Sequence, residues 1–341
     1  MLSNKYIDIN TNQIIDNLLN SKARIPKNSK IYIVMKSNFY GCGLPLVSFL
    51  LNDIDGIIVN DNYDYWELKN MELIGEKEVI ILYPDLSDSL IICETEREKN
   101  LFLTVINEND IHYIKNIFSK VYLRVDLFLG NHGIDLSYAR SFLQTETVRG
   151  VILHINESLN KSEEDMVNKI IEWAKSKKLS INIGGSAVLK YREILKQDIN
   201  LRFVMDILAP RGLQQNNIVL NARVIKQTQI DSMLTIGYKT DRVCLESGTV
   251  VTVSLGYGDF RMLPMLYEMR VPIVIENKNF YMPCYPCMNT CWLYCEDHVV
   301  LKSKYVEFLN ASISACLVKT LNIDPDEILS SISENIKTVY R

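Results

Sequence analysis

Reactive polar residues stand at the ends of several short apolar segments in the first two-thirds of the chain. Lys36 ends the segment IYIVMK and begins the polar loop SNFYGCG. An amine at such a position is partly desolvated, which lowers its pKa and makes it a nucleophile suited to forming a Schiff base with an aldehyde. A strand-end lysine can also simply extend its amine into solvent. Carbonyl chemistry and a surface role therefore both fit Lys36.

Other segment ends carry groups that suit anion binding or proton transfer. Gly184-Gly185-Ser186 could let a backbone and a hydroxyl approach a phosphate, or could be a tight turn that needs positive φ. His154, within VILHIN, could transfer protons or be a hydrogen-bonded core residue. Asp126 and Asp206 could act as acid and base or hold a metal, but solvated or ion-paired loops account for them better.

Four cysteines lie within twelve residues, at positions 284, 287, 291 and 295, and His298 follows them. Such density suggests zinc or an iron–sulfur cluster. However, the spacing matches no standard ligand pattern, and in an extended segment Cys284 would face away from the other three. We therefore predict no metal site there. In a chain of this size without a secretory signal, reduced thiols are expected, and the sequence predicts a cytoplasmic protein.

The elements that must position these groups follow a regular pattern. Eight β-rich apolar runs begin 19 to 30 residues apart, with helix-compatible sequence between them. This predicts a closed (β/α)8 TIM-like barrel, because an open doubly wound sheet would more often carry a glycine fingerprint after its first strand. The predicted strands are 30–36, 56–61, 79–85, 101–107, 120–126, 149–155, 179–185 and 201–208.

Helix starts and a domain boundary can also be predicted. A helix over 162–178 is expected to begin with a capping box formed by Ser162 and Asp165, and one over 13–19 to follow Asn10 or Thr11. After 210–212 the chain has β-rich runs without intervening helices, at 217–225, 249–257, 269–275 and 298–303. Helices are then expected over 306–321 and from 324 onward. The sequence thus predicts a barrel over 1–212 and a mostly β domain with C-terminal helices over 213–341.

The composition excludes several classes of protein. The 341 residues are 48% hydrophobic and 23% charged, with a net charge of −4, which is typical of a globular protein and unlike a disordered or fibrous one. No apolar run approaches the roughly 18 residues of a membrane span. The charge balance lacks a basic stripe, so a nucleic-acid partner is not expected.

Several of these segments resemble motifs of the alanine racemase family, whose members are pyridoxal-phosphate (PLP) enzymes with a barrel and a β domain. IVMKSNFYGCG is similar to the family's PLP-lysine motif, VILHINES to the segment carrying its histidine, GGSAVL to its phosphate-serine segment and LRFVMDIL to its last barrel strand. The resemblance implies that Lys36 forms the Schiff base and that Arg202 faces the pyridine nitrogen. It also implies that the remaining cofactor contacts of the first domain come from Tyr40, Ser186, Val204 and Met205, with Val204 where a glycine is expected.

The second domain continues the resemblance. TIGYKT and SLGYGDF are similar to segments bearing a catalytic tyrosine, here Tyr238, and a cofactor-site tyrosine, here Tyr257, 19 residues apart. PCMNTC resembles a segment whose methionine, here Met288, offers a backbone N–H to the substrate carboxylate. The resemblance implies a two-base racemase in which Lys36 and Tyr238 act on opposite faces of the substrate, His154 supports Tyr238, and Tyr238 comes from the other subunit of a homodimer.

Besides Val204, the chain departs from the family pattern at five further positions. Arg124 replaces a carbamylated lysine, and Asn131 replaces an arginine near the PLP hydroxyl and the substrate carboxylate. Asn289 replaces an aspartate, Glu334 an entryway tyrosine and Cys42 a histidine. Asn131, Met288 and Glu334 are nevertheless the predicted substrate contacts. The departures call alanine itself into question as the substrate and leave other functions open, namely another PLP reaction such as decarboxylation, or a non-catalytic PLP-binding regulator. A metal-dependent barrel hydrolase using Asp126, Asp206 and His154 is a third class.

Overall fold

A computed structural model describes residues 3–110, 113, 120–127, 133–142, 148–155, 159–209, 216–238 and 241–341, except for the side chains of 141–142 and 186–187. The strands in these ranges are β1 (Lys5–Ile9), β2 (Ile31–Met35), β3 (Gly56–Val59), β4 (Glu78–Ile81), β5 (Leu101–Val105), β6 (Val121–Arg124), β7 (Val148–His154), β8 (Ser180–Gly184), β9 (Asn200–Phe203), β10 (Ile218–Ile230), β11 (Leu234–Tyr238), β12 (Asp241–Leu245), β13 (Gly248–Val253), β14 (Ile273–Ile275), β15 (Lys278–Phe280), β16 (Cys291–Cys295), β17 (Tyr305–Leu309) and β18 (Lys337–Tyr340).

The right-handed helices in the same ranges are mostly short. They are α1 (Thr11–Lys22), α2 (Asn62–Asn70), α3 (Ser89–Arg97), α4 (Leu136–Phe142), α5 (Lys161–Ser176), α6 (Arg192–Leu195), α7 (Met205–Leu208), α8 (Leu263–Glu268), α9 (Ala311–Leu321) and α10 (Pro325–Ser330). None of these described helices is both long enough and apolar enough to cross a lipid bilayer.

The described residues group into two compact units, which differ from the predicted domains. The barrel unit comprises the described residues of Ile15–Lys36 and Val47–Ile207. The β unit comprises those of Met1–Ile14, Ser37–Leu46 and Leu208–Arg341. The sequence alone assigned all of 1–212 to the barrel. Strand β1 joins the β unit because it pairs with β10 and β18, which lie more than 200 residues away.

The barrel unit contains a closed barrel of eight parallel strands, β2 to β9 in sequence order, which confirms the predicted fold. These strands are nearly continuous runs of apolar residues because both of their faces are buried. Their inward side chains fill the barrel with one hydrophobic cluster rather than leaving a channel. Its buried members are Tyr32, Ile58, Ile80, Leu82, Phe102, Tyr122 and Ile152.

Two helix starts can be compared with their predictions. At α1 the Asn10 side chain accepts from the Gln13 backbone N–H at 3.1 Å, so the predicted choice between Asn10 and Thr11 resolves to Asn10. The predicted capping box of Ser162 and Asp165 is wrong. Helix α5 begins one residue earlier, at Lys161, and Asn160 and Glu163 form the box. Asn160 caps because it keeps an extended backbone while its side chain reaches the third helical N–H.

The β unit is built on one sheet in the order β16-β13-β10-β1-β18, with β17 also paired to β10. Two sequence predictions for this unit are wrong. Residues 298–303 are not a strand, and the segment Cys291–Cys295 pairs with β13 instead. The helix predicted over 306–321 begins only at Ala311, because Tyr305–Leu309 is drawn into the sheet by β10. Long-range pairing therefore overrides the local helical pattern at 306–309.

Candidate active site

Lys36 directly follows β2, at the carboxyl end of the barrel strands. It is two residues beyond Val34 and four beyond Tyr32, whose ring belongs to the interior cluster, so its side chain leaves the strand on the interior side. Lys36 is half-buried. Burial, followed by the positive charges of Arg202 and Arg124, lowers the pKa of the Lys36 amine to about 8, and Asp64 opposes this shift. The amine is therefore much more often neutral near pH 7 than an ordinary lysine amine.

Arg202 is fixed against the barrel backbone. In the barrel, Arg202 of β9 is paired with Gly184 of β8, and Gly184 is in turn paired with His154 of β7. The guanidinium of Arg202 donates from Nη2 to the Leu153 carbonyl at 2.5 Å. It also lies where a Cβ on Gly184 would be, so any larger residue at 184 would displace it. The GGS segment thus serves the barrel in a way that its sequence did not suggest, by making room for an arginine.

Arg124 is the last residue of β6 and is only 7% exposed. Tyr122, two residues earlier, packs in the interior cluster, so Arg124 leaves the strand on the same side. Its guanidinium carbon lies 4.9 Å from the centre of the Tyr83 ring, and the Lys36 Nζ lies 5.7 Å from the same centre. Arg124 Nη1 is buried without a hydrogen-bond partner among the described residues.

The other predicted barrel residues are placed to different extents. His154 ends β7 with an exposed side chain, which is consistent with a role at the barrel mouth and not in the core. Ser186 begins the 3₁₀ turn Ser186–Lys190, but its side chain lies outside the described part of the structure, and Asn131 lies outside it altogether. Val204, between β9 and α7, and Met205, the first residue of α7, are both half-buried.

The loop after Lys36 forms a left-handed turn in the β unit. Residues Ser37, Asn38, Phe39 and Tyr40 all have φ between 48° and 53°. The left-handed backbone conformation costs about 1–2 kcal/mol for each residue that is not glycine, so contacts with the surrounding residues must stabilise this turn. The Asn38 side chain accepts from the Leu44 N–H at 3.0 Å, and the Tyr340 hydroxyl donates to the Cys42 carbonyl at 3.0 Å. The turn thereby fixes the backbone of Tyr40.

Cys42, which stands where the family motif has a histidine, is buried in this turn. Burial raises the pKa of its thiol to about 12, so it stays protonated and unreactive. The adjacent Gly41 has φ of 74°, and a Cβ there would lie 2.5 Å from the Leu329 carbonyl oxygen. The glycine is therefore required by close backbone packing on the α10 region. The small thiol at 42 and the glycine at 41 both serve packing and not chemistry.

Tyr257 and Met288 lie side by side within the β unit. The Tyr257 N–H donates to the Cys287 carbonyl at 3.0 Å, and the Gly258 N–H donates to the Met288 carbonyl at 2.9 Å. Gly256 allows this approach because a side chain there would overlap the backbone of 287–288. Both predicted site residues are exposed, Met288 at 59% and Tyr257 at 38%. The two segments singled out from the sequence thus form one surface.

Tyr238 belongs to a hairpin that is attached to that surface. It ends β11, pairs with Asp241 of β12 and is 67% exposed. The Asp241 carboxylate accepts a short hydrogen bond from the Tyr285 N–H. The ring of Tyr285 lies 6.3 Å from that of Tyr257. The hairpin that carries Tyr238 is therefore tied to the segment that carries Tyr257 and Met288, and the separate sequence motifs converge.

Glu334 is exposed and belongs to a segment that is attached next to Tyr257. The Ser333 N–H donates to the Asp259 carbonyl at 2.9 Å, and the Arg261 N–H to the Ser331 carbonyl at 3.1 Å. The buried Asp259 carboxylate pairs with Lys5 and accepts from Asn289 at 3.3 Å and from the Gly256 N–H at 3.0 Å. The departure at Asn289 is thus accommodated, because its amide donates to a carboxylate that an aspartate would repel.

The cysteine cluster is structural in the part of the chain described. Cys284, Cys291 and Cys295 are buried, and burial raises the pKa of the Cys284 thiol to about 12. Among the described residues, no group of three or more histidine, cysteine or acidic side chains could hold a metal ion. Cys291 and Cys295 alternate with outward residues of β16 and fill the sheet interior. Their spacing reflects strand packing.

Sequence reasoning missed three contributors to these sites. Tyr83 follows the third barrel strand, and its segment VIILYPD showed an aromatic residue at a strand end, a signal that could have been used. Asp64, on α2, raises the Lys36 pKa from a helix that carried no motif. Asp259 was hidden inside SLGYGDF as an ordinary acidic residue. Its role depends on Lys5, which is 254 residues away.

The groups at the barrel mouth fit an anionic pyridine aldehyde such as PLP. Lys36 offers a partly neutral amine for an aldehyde. Arg202 places a positive charge close enough to lower the pKa of that amine, and an anionic ligand would be attracted to it. The chemistry of the donor set therefore matches the cofactor.

The lowered Lys36 pKa gives a testable pH profile. Because the protonated amine is disfavoured, the neutral form appears at lower pH than the ordinary value of 10.5 would allow. We expect cofactor-free protein to capture pyridoxal at a rate that rises about tenfold per pH unit and levels off near pH 8. Stopped-flow absorbance measures this rate. In Arg202→Gln protein a neighbouring cation is lost, so the plateau should move to higher pH. A rate that keeps rising to pH 10 in the unmodified protein would contradict the assignment.

Comparison with known proteins gives a consistent result. No family model matches the sequence. An alanine racemase from Streptococcus equi subsp. zooepidemicus is 26% identical over 262 residues, covering 69% of this chain and 70% of that protein. The crystal structure of alanine racemase from E. faecalis matches with a TM-score of 0.80 and 18% identity over 100% of both chains. The alanine racemase from Bartonella henselae, solved with covalently bound pyridoxal phosphate, matches with a TM-score of 0.79 and 14% identity over 99% of both chains. In sequence and in fold, this chain is therefore similar to alanine racemases.

Proposed function

We propose that this chain is a PLP-dependent amino-acid racemase that interconverts L- and D-amino acids with two bases. The observation that carries the proposal is the half-buried Lys36 amine at the mouth of a closed barrel, with its pKa lowered to about 8. Such an amine suits both attachment of an aldehyde cofactor and proton transfer. The similarity to alanine racemases supports the same function.

Seven residues are proposed to hold the cofactor. Lys36 would hold its aldehyde carbon, and Arg202 its ring nitrogen. Arg202 keeps its proton at any ordinary pH, so it would act as a hydrogen-bond donor and leave the ring neutral. The fixed position of its guanidinium, bound to the Leu153 carbonyl, suits that task. The proposed contacts at the phosphate end and around it are Tyr40, Ser186, Val204, Met205 and Tyr257.

Proton transfer is assigned to two side chains of this protein. When bound, PLP makes the substrate Cα–H acidic by acting as an electron sink. The Lys36 amine takes or returns the α-proton on one face, and the Tyr238 hydroxyl does so on the other. A tyrosine with a reference pKa of about 10 is a weak base at neutral pH, so it needs a charged or hydrogen-bonding neighbour. His154 is proposed for that role.

A homodimer is proposed because Tyr238 is assigned to the partner's active site. A side chain that is 67% exposed at the end of a hairpin is available to a second copy. Tyr257, Tyr285 and Met288 are exposed near it, and a cluster of large apolar side chains on one surface is typical of a protein interface. Each subunit alone would then lack one of its two bases.

The substrate carboxylate and side chain are assigned to the residues implied by the resemblance. Met288 is proposed to offer its backbone N–H to the carboxylate, and Asn131 to line the same site. The Met288 carbonyl accepts from the Gly258 N–H at 2.9 Å, which holds the backbone at Met288 in place. A backbone donor held in this way loses little entropy when it binds an anion.

The function is tested by purifying the protein with PLP, recording its visible spectrum and screening L-amino acids for loss of optical rotation. A racemase should convert at least one L-amino acid to the racemic mixture with no change in total amino acid. Release of carbon dioxide with an amine product would indicate decarboxylation instead. Cofactor binding without turnover of any amino acid would indicate a regulatory protein.

We further propose that the substrate has a longer or cationic side chain, because Glu334 replaces an entryway tyrosine. The exposed carboxylate sits on a segment tied to Asp259 and Arg261, just after Tyr257. It would attract lysine or ornithine and repel glutamate. Because water and salt screen an exposed charge, we expect Glu334→Gln to raise KM for lysine only about two- to fivefold.

This prediction is measured by racemisation of alanine, serine, lysine, ornithine and glutamate with each variant. Glu296→Gln, which removes another exposed carboxylate of the β unit, is the matched control and should leave the preference unchanged. If alanine is by far the best substrate, or if Glu334→Gln keeps the same preference as the unmodified protein, Glu334 does not select the substrate.

A further inference from the structure

Arg124 places a buried guanidinium at the carboxyl end of the barrel strands. Arg124 is only 7% exposed, and its Nη1 has no hydrogen-bond partner among the described residues. Lys36 and Arg202 are close enough for their charges to interact, and Asp64 is the acidic group acting on Lys36. A buried guanidinium nitrogen without a hydrogen-bond partner is unfavourable, and an anion bound to it would remove that cost.

Tyr83 holds the guanidinium in a defined orientation. Its ring centre lies 4.9 Å from the Arg124 guanidinium carbon, a distance typical of a cation–π contact. An arginine restrained in this way loses less entropy when it binds a carboxylate, and its planar fork matches the two oxygens. The same ring lies 5.7 Å from Lys36 Nζ, so an anion held by Arg124 would be near the reactive amine.

The position of Arg124 around the barrel distinguishes two kinds of anion. Phosphate groups in such barrels bind to the loops after the seventh and eighth strands, which here are β8 and β9. Arg124 ends the fifth barrel strand, β6, and β7 lies between it and β8. The phosphate region is therefore not where Arg124 lies. The remaining anionic groups are the phenolic oxygen of PLP and the substrate carboxylate, and only the carboxylate offers two oxygens to match the planar fork of an arginine.

We propose that Arg124 is the residue of the barrel unit that binds the α-carboxylate of the substrate, held in position by Tyr83. This rests on the proposed racemase function. It implies that binding needs no modified lysine at this position, because the arginine supplies a permanent charge. It also implies that small monocarboxylates without an amine bind to the same place and compete with the substrate.

The experiment titrates acetate into purified protein saturated with PLP and follows the heat of binding by calorimetry. We compare the unmodified protein with Arg124→Gln and Arg124→Lys. The control is Arg140→Gln, which removes another arginine stacked on an aromatic ring, 5.8 Å from the centre of Trp173 and exposed on α4. Thermal unfolding and the visible spectrum report whether each variant folds and keeps the cofactor.

We expect Arg124→Gln to weaken acetate binding at least about tenfold, since a charge-assisted bond is lost. Arg124→Lys should be intermediate, and Arg140→Gln unchanged. With an amino-acid substrate, KM should rise by a similar factor. Acetate affinity within twofold of the unmodified protein in Arg124→Gln would overturn the proposal, as would loss of PLP with unchanged acetate binding, because Arg124 would then hold the cofactor. A protein that binds acetate through Arg124 but racemises nothing would refute the proposed function alone.

Discussion

Lys36→Ala protein is expected to lose the visible absorption of bound PLP and to lose racemisation by at least about ten-thousandfold. The factor is large because one amine is assigned both cofactor attachment and a proton-transfer role. An alanine at 36 also removes a partly buried amine whose protonated form is disfavoured, so folding should not suffer. Absorbance spectra after gel filtration and polarimetry measure the two losses.

The matched control is Lys120→Ala. Lys120 is a second barrel lysine whose pKa is lowered by burial, and its Nζ lies 5.3 Å from the centre of the Phe102 ring. It precedes β6 and thus lies at the opposite, amino end of the strands. Its loss should leave the spectrum intact. If Lys36→Ala protein keeps the visible band through gel filtration, another residue holds the cofactor and the central assignment fails.

Tyr238→Phe protein is expected to keep PLP but to racemise about a hundredfold more slowly or worse. Only the hydroxyl is removed, so the exposed hairpin and its tie through Asp241 to Tyr285 should remain. Because Lys36 still serves one face, the α-proton of one enantiomer should exchange with deuterium at near-normal rate while that of the other does not. Proton NMR in heavy water separates the two enantiomers.

Tyr281→Phe provides the control, since Tyr281 is another partly exposed tyrosine of the β unit, paired by backbone with Tyr294. That variant should behave as the unmodified protein. Undiminished exchange of both enantiomers in Tyr238→Phe would show that Tyr238 is not a base. A loss of exchange for both would indicate that the tyrosine is needed for binding and not for one proton transfer.

The barrel could be predicted because its cause is local and repeated. Eight apolar runs at strand-plus-helix spacing can bury both faces only in a sheet covered by helices, and the short polar loop after Lys36 favoured closure over a nucleotide-binding sheet. Elements with competing signals were less predictable. The segment 305–309 has a helical pattern but becomes a strand, because pairing with β10 buries it. Asn160 caps α5 in preference to Ser162, a choice that the sequence leaves nearly balanced.

The amino-acid sequence by itself determined the class of fold, because the spacing of its apolar runs carries that signal. Its resemblance to known motifs singled out Lys36 and the segments of Tyr238 and Tyr257 as candidates for the active site. Only the tertiary structure decided that Arg124 is buried beside Tyr83, that Gly184 makes room for Arg202, and that Asp259 joins Lys5 to the segment carrying Met288. The pKa of Lys36 likewise depends on burial and on charges from other strands. Each of these properties depends on contributions from several neighbouring residues that are distant in the sequence. No local pattern of residues specifies how closely such neighbours approach one another.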